Sequence, residues 1–236
     1  MTGYDIVRRN PPSETFFETD EDFRRGYEQA QVATQMKAND NLLRRQRHYT
    51  LYYLLRQVDV QKGNVAECGC LRGLSAYQTA SYLKEKNFKN KFYLFDSFEG
   101  LSEFDQADLA GTTIKNVDEK RKHFACPMEE TQSNLKEFEF IVYKKGWIPQ
   151  RFPEVAQEKF IFVHIDVDLY RPIKDSLEFF YPRVVAGGVI AFDDYGCSAF
   201  PGAKQAVDEF MRGKNDFFLA LPSGHAFILK GQTVNR

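Results

Sequence analysis

The chain has few of the residues that build staples, leaders or charged binding faces. Of its 236 residues four are cysteine, four histidine and one tryptophan, and 32 basic side chains balance 33 acidic ones. A net charge of −1 offers no electrostatic footprint for nucleic acid or anionic lipid, so neither is an expected partner. No apolar run approaches the roughly 18 residues that span a bilayer, so no membrane span is expected. The stretch Met1–Asn10 lacks the hydrophobic core of a secretion signal. Cys68 and Cys70 flank one glycine while Cys126 and Cys197 stand far apart, which is not zinc-ligand spacing. Reduced thiols in the cytoplasm are the expectation.

What is present is an ordinary globular composition, 43% hydrophobic and 15% aromatic, which excludes global disorder. The length suits one core with an appended arm, divided as a helical arm over 1–60 and a main domain over 61–236. In the arm, the segment 13–36 carries charges and aromatics, with Ser13 and Thr19 as candidate helix caps. Leu51, Leu54, Leu55 and Val58 then recur at the spacing of an amphipathic helix. That arm is free to pack on its own domain or on a second subunit of a homo-oligomer.

Beyond residue 60 short apolar runs alternate with helical stripes. Asn64–Cys68, Phe92–Phe95, Phe138–Tyr143, Phe160–Ile165 and Val189–Phe192 look like strands. Ala76, Ala80 and Leu83 share one helical face, as do Ile173, Leu177 and Phe180, then Ala203, Val207, Phe210 and Met211. Continuous apolar strands between amphipathic helices predict a parallel sheet covered on both faces, a doubly wound α/β domain. Two last runs, Phe217–Leu221 and Ala226–Leu229, flank Pro222-Ser-Gly-His225 and predict a closing hairpin with an antiparallel strand.

In such sheets ligands sit beyond the carboxyl ends of the strands. The first exit reads Glu67-Cys-Gly69-Cys-Leu-Arg-Gly73-Leu-Ser75, a glycine-bearing turn into a helix whose free amides suit an anionic group. Its spacing is neither G-x-G-x-x-G nor a P-loop. The second exit, Asp96-Ser97-Phe98-Glu99-Gly100, offers an acid for ribose hydroxyls and a ring for a base, although Asp96 or Ser97 could equally cap a helix. The third holds Trp147, more often a core residue than a pocket wall. The next two exits carry Asp166 and Asp168, then Asp193 and Asp194. If those strands are neighbours, four carboxylates gather at one sheet edge, costly unless a cation neutralises them or a proton is shared. Oxygen donors suit Mg²⁺ better than zinc. The rival reading is separate loop carboxylates that cap helices in water.

These four strings, with Pro201-Gly-Ala-Lys-Gln-Ala-Val-Asp208 after them, resemble the macrocin O-methyltransferase (TylF-like) family over about residues 47–212. The resemblance implies a class I, S-adenosylmethionine- and Mg²⁺-dependent methyltransferase acting on a sugar hydroxyl, with strand order 3-2-1-4-5-7-6. It places Glu67, Gly69, Gly73 and Ser75 at the methionine part of the cofactor and Asp96, Ser97 and Phe98 at its nucleoside. It makes Asp166, Asp193 and Asp194 metal ligands, with Asp166 or Asp168 as base; Asp168 is favoured because metal would occupy it less. Leu71, Leu74 and Val167 depart from the family pattern, which leaves the implied cofactor residues intact but not the implied acceptor pocket.

Rival readings are a catechol-like or other small hydroxyl acceptor, and an inactive module that only binds the cofactor. Tyr170-Arg-Pro-Ile-Lys174 matches the Y-x-x-x-K pair of nicotinamide dehydrogenases, but no dinucleotide glycine motif precedes it. His48, His123 and His225 form no recognisable catalytic pattern, His164 is expected to be a satisfied structural histidine, and Arg72 and Lys204 are expected to face solvent. Residues 101–130, polar and charged, are either a lid over the acceptor or a surface insertion.

Overall fold

A computed structural model describes residues 16–233. The chain opens with a one-turn helix α1 (Phe16–Thr19), then α2 (Glu21–Ala33) and α3 (Leu42–Arg56). Ser13 lies outside the described residues. Thr19 ends α1, and the cap of α2 is Asp20, which accepts the Phe23 N–H at 2.9 Å. The Asp20 carboxylate, one residue nearer the helix, satisfies the free amide that Thr19 was expected to take.

The sheet is then built in alternation: β1 (Asn64–Cys68), α4 (Leu74–Glu85), β2 (Phe92–Asp96), the short helices α5 (Gln106–Leu109), α6 (Val117–His123) and α7 (Met128–Asn134), and β3 (Ile141–Lys145). It continues through β4 (Phe160–Ile165), α8 (Tyr170–Phe180), β5 (Val184–Phe192), α9 (Pro201–Met211), β6 (Asp216–Ala220) and β7 (Ala226–Thr233). The spatial order is β3-β2-β1-β4-β5-β7-β6, parallel except for β7, which runs antiparallel to both neighbours. This is the expected doubly wound sheet and closing hairpin. The third strand starts at Ile141, not Phe138, because Phe138 closes a turn onto Leu135 and plugs the core beside Tyr77. The fifth begins at Val184, five residues before its apolar run.

Period-two alternation sorts the side chains onto two cores. Ala66, Cys68, Tyr93 and Phe95 face α8 and α9, where Ile173, Leu177, Phe180, Ala203 and Val207 meet them. Val65, Phe92 and Leu94 face Ala76, Ala80 and Leu83 of α4, with Leu51 and Leu55 of α3 behind. Full burial of such side chains contributes about 1.5–3 kcal/mol each. Within the described arm, Phe17, Phe23, Tyr27 and Met36 pack against Leu74 at the start of α4, and Phe23 meets Tyr49 edge-on at 4.9 Å. The arm therefore covers its own sheet.

Candidate active site

β1 has β2 on one side and β4 on the other, so the strand order reverses between β1 and β4, where a doubly wound sheet opens its crevice. Gly69 leaves β1 with φ +81°, and a Cβ there would lie 1.8 Å from the backbone oxygen of Asp166. Only glycine lets the first and fourth exits touch. The turn that follows, with Leu71 at φ +46° and Gly73 at φ +91°, aims the amides of Cys70 and Leu71 at Asp96 Oδ2, at 2.7 and 3.2 Å. Asp96 Oδ1 accepts the Phe98 N–H at 2.7 Å. Asp96 thus organises both loops that meet at it.

A cavity of about 380 Å³ runs along these exits. Its wall runs from Asp96 and Ser97 at the β2 exit, past Gly69 after β1 and Asp166 and Asp168 after β4, to Asp193 and Asp194 after β5, with Ser75 and Trp147 also lining it. Trp147 is therefore a wall residue, not core; Gly146 beside it donates to the Asp96 carbonyl at 2.9 Å. Three expected contact residues stand behind the wall. Phe98, at φ +61°, turns into the core that also holds Leu135 and Phe138, Gly73 packs on the Leu135 side chain, and buried Glu67 accepts the Ser75 hydroxyl. Ser97 Oγ donates to the Gly100 carbonyl at 2.9 Å and accepts the Glu99 N–H, fixing the second exit.

At the acidic end, one oxygen each from Asp166, Asp168 and Asp194 fall within 4.8 Å of one another, and Asp166 and Asp193 form a second such group with His164. Asp168 is buried at φ +60°. Burial, then the charges of Asp194 and Asp166, push its carboxyl well above the usual carboxylate range. Burial and Asp166 likewise raise Asp194 to about 6, against the pull of Arg47. Asp194 Oδ2 is buried and has no hydrogen-bond partner.

Tertiary structure supplies the partners of these carboxylates, one charged and one neutral, which sequence reading missed. Arg47 of α3 reaches Asp193 in close contact and Asp194 Oδ1 at 3.1 Å. His225, in the β6–β7 turn, meets Asp193 Oδ1 through Nε2 at 2.6 Å, and burial followed by the charge of Arg47 holds it well below its ordinary pKa. Neither has a local motif; only the packing of the arm and hairpin brings them there. His48, also on the cavity wall, shares a 2.6 Å hydrogen bond with Gln78 and is lowered to about 3, chiefly by burial. His164 is not a satisfied histidine: it is 3% exposed, both ring nitrogens lack a hydrogen-bond partner, and Glu67 Oε1 lies 3.5 Å from Nδ1. Burial opposes its charging, yet Glu67 and Asp166 outweigh this and raise it.

Arg72 also departs from expectation, lining the cavity and pairing with Glu130, whereas Lys204 stays on an exposed helix face beside Asp208. From 101–130, Leu101, Ser102, Lys120 and Phe124 close over the cavity, so the segment forms part of its wall. Lys174 lies 3.4 Å from Tyr170 Oη on α8, away from the cavity lining. All four cysteines are free.

A family model described as macrocin-O-methyltransferase (TylF) matches residues 16–217. The chain belongs to that family. This membership agrees with the O-methyltransferase family expected from the sequence. The chain is similar to a demethyldecarbamoylnovobiocin O-methyltransferase of Streptomyces niveus, 26% identical over 65% of this chain and 60% of that protein. It is similar also to an 8-demethyl-8-(2,3-dimethoxy-alpha-L-rhamnosyl)-tetracenomycin-C 4'-O-methyltransferase of Streptomyces olivaceus, 27% identical over 89% of this chain and 80% of that one. Among solved structures, the calicheamicin methyltransferase CalS11 shares the fold at TM-score 0.67 and 19% identity, covering 93% of this chain and 95% of its own. No helix among the described residues is long and apolar enough to cross a membrane.

Proposed function

We propose that the protein transfers a methyl group from S-adenosylmethionine to a hydroxyl of a sugar or glycosylated small molecule, with Mg²⁺ at the acidic end of the cavity. The observation that carries this reading is the continuity of one cavity from Asp96 to the four aspartates. Gly69, Ser75, Asp96 and Ser97 are positioned to receive the donor, with Glu67, Gly73 and Phe98 bracing them from behind. The tetracenomycin relative, named for a rhamnosyl-bearing acceptor, favours a sugar over a catechol-type acceptor. The intact aspartate cluster disfavours an inactive binding module. With four free thiols, the expected compartment is the cytoplasm.

The donor set fits a hard cation. Asp166, Asp193 and Asp194 offer only oxygen, Asp194 Oδ2 is buried without a partner, and the neighbouring carboxyls repel one another enough to raise Asp168 and Asp194. When bound, Mg²⁺ lowers the pKa of a nearby hydroxyl and fixes its oxygen, and the donor's sulfonium supplies the methyl group. Asp168 accepts the hydroxyl proton. Buried beside the cluster, it is the carboxylate that this reading assigns to that task. The O–CH₃ bond forms as the S–CH₃ bond breaks, and the neutral thioether leaves. Lys120 and Trp147 line the same cavity.

Calorimetric titration with S-adenosylhomocysteine tests the reading on the parent and on Asp96→Asn. Binding in the parent that weakens in the variant supports it. A parent that binds no S-adenosylhomocysteine, with or without Mg²⁺, overturns it.

A further inference from the structure

The carboxylates at the end of β5 already hold a cation, and it belongs to the arm. Arg47 Nη2 contacts the Asp193 carboxylate closely, lies 3.1 Å from Asp194 Oδ1, and donates to the Asp193 carbonyl at 3.2 Å. Its side chain is only 25% exposed, whereas its neighbour Arg45 on α3 lies out in solvent. A guanidinium withdrawn from water to that degree is retained by its partners, because removing them would leave a buried charge alone. The same two aspartates are the ones that the acidic cluster offers to a divalent ion.

One carboxylate pair cannot serve both cations fully. Arg47 occupies one oxygen of each aspartate and leaves Asp194 Oδ2 bare. A dication drawn to that bare oxygen would stand beside the guanidinium, and like charges at such range repel. Arg47 is also no loose side chain. α3 carries His48 and Leu51 onto the same cavity wall, and its Tyr49 and Tyr52 hold the arm's aromatic cluster around Phe23.

We infer that Arg47 is a built-in counter-ion that competes with the divalent cation for Asp193 and Asp194, so that cation arrival releases α3 and opens the acceptor side of the cavity. Arg47 is thus a positioning residue, acting through the two aspartates. The inference rests on the cation reading above and deepens it: apo protein is latched shut by its own arginine, and the ion is the key to the latch.

Mn²⁺ binding, followed by water-proton relaxation and calorimetry on the parent, Arg47→Met and Arg47→Lys, tests this, together with tryptic cleavage at exposed Lys37 between α2 and α3. Competition predicts that Arg47→Met binds Mn²⁺ about tenfold more tightly, the size typical of changes to a ligand's hydrogen-bond partners. Arg47→Lys, a single-point cation, should fall between. Saturating Mn²⁺ should speed cleavage at Lys37 several-fold in the parent, and Arg47→Met should be cleaved quickly with or without it. A residue that only stiffened the fold would weaken Mn²⁺ binding when removed. Equal or weaker Mn²⁺ binding by Arg47→Met, with the parent binding normally, overturns the competition and leaves the cation reading standing. Failure of the parent and both variants to bind Mn²⁺ overturns both. If Arg47→Met does not fold, unchanged affinity in Arg47→Lys is the overturning result.

Discussion

Asp168, the proposed base, shows how backbone and burial shape a single residue. The left-handed φ of +60° turns it out of the line of β4, and burial beside two other carboxylates raises its pKa. Asp168→Asn keeps the shape but cannot take a proton. Its kcat should fall about 10²- to 10⁴-fold while S-adenosylhomocysteine affinity by calorimetry stays within error. Equal losses of kcat and donor binding would make Asp168 a structural residue instead. Gly69 is the opposite case, a position where any side chain fails. Gly69→Ala must strain φ and push a methyl into the Asp166 carbonyl, costing at least about 1–3 kcal/mol from the backbone alone. Thermal melts should show a drop of several degrees, with donor binding lost together with fold.

At the scale of elements, the closing hairpin is fastened by one carboxylate. Asp216 at the start of β6 accepts from Tyr181 beyond α8, from Lys230 at 3.0 Å and from the Gly231 N–H at 2.8 Å. Burial works against its charge, but these three donors hold its pKa below the ordinary carboxylate value. A depressed folded pKa means stability that is present above the unfolded value, near 4, and is lost as pH falls through the folded one. Asp216→Asn should therefore lower stability by about 1–3 kcal/mol at pH 7. The gap to the parent should close by pH 2–3 in urea titrations; a gap independent of pH would show that the charge is idle. The hairpin matters to the site because its turn delivers His225 to Asp193. The arm matters in the same way through Arg47.

For the whole molecule, the proposed sites of donor and cation lie where strand exits, the arm and the hairpin meet. Ligands that bind only the native state stabilise it, by about 2.7 kcal/mol at a hundredfold excess over Kd. S-adenosylhomocysteine and Mg²⁺ together should raise Tm more than either alone, and chelation should reverse the cation's share. A Tm indifferent to Mg²⁺ and to chelation would remove the metal from the site.

The amino-acid sequence alone determined the alternation of strand and helix, because continuous apolar runs and helical stripes are local patterns that burial enforces. It also determined which strand exits carry glycines and aspartates, since those strings are contiguous. The four aspartates converge because β4 and β5 are neighbours, as their order in the motif implied. Tertiary structure decided what local pattern does not encode. Phe98 and Phe138 are apolar rings whose sequence context fits a pocket or a strand, and only packing against Leu135 sent both into the core. Arg47, His48, His164 and His225 look like scattered polar residues until the sheet, arm and hairpin assemble around one cavity. Their charge states and partners depend on distances across 30 to nearly 150 residues of chain, and Coulomb and desolvation energies follow distance in space, not separation in sequence.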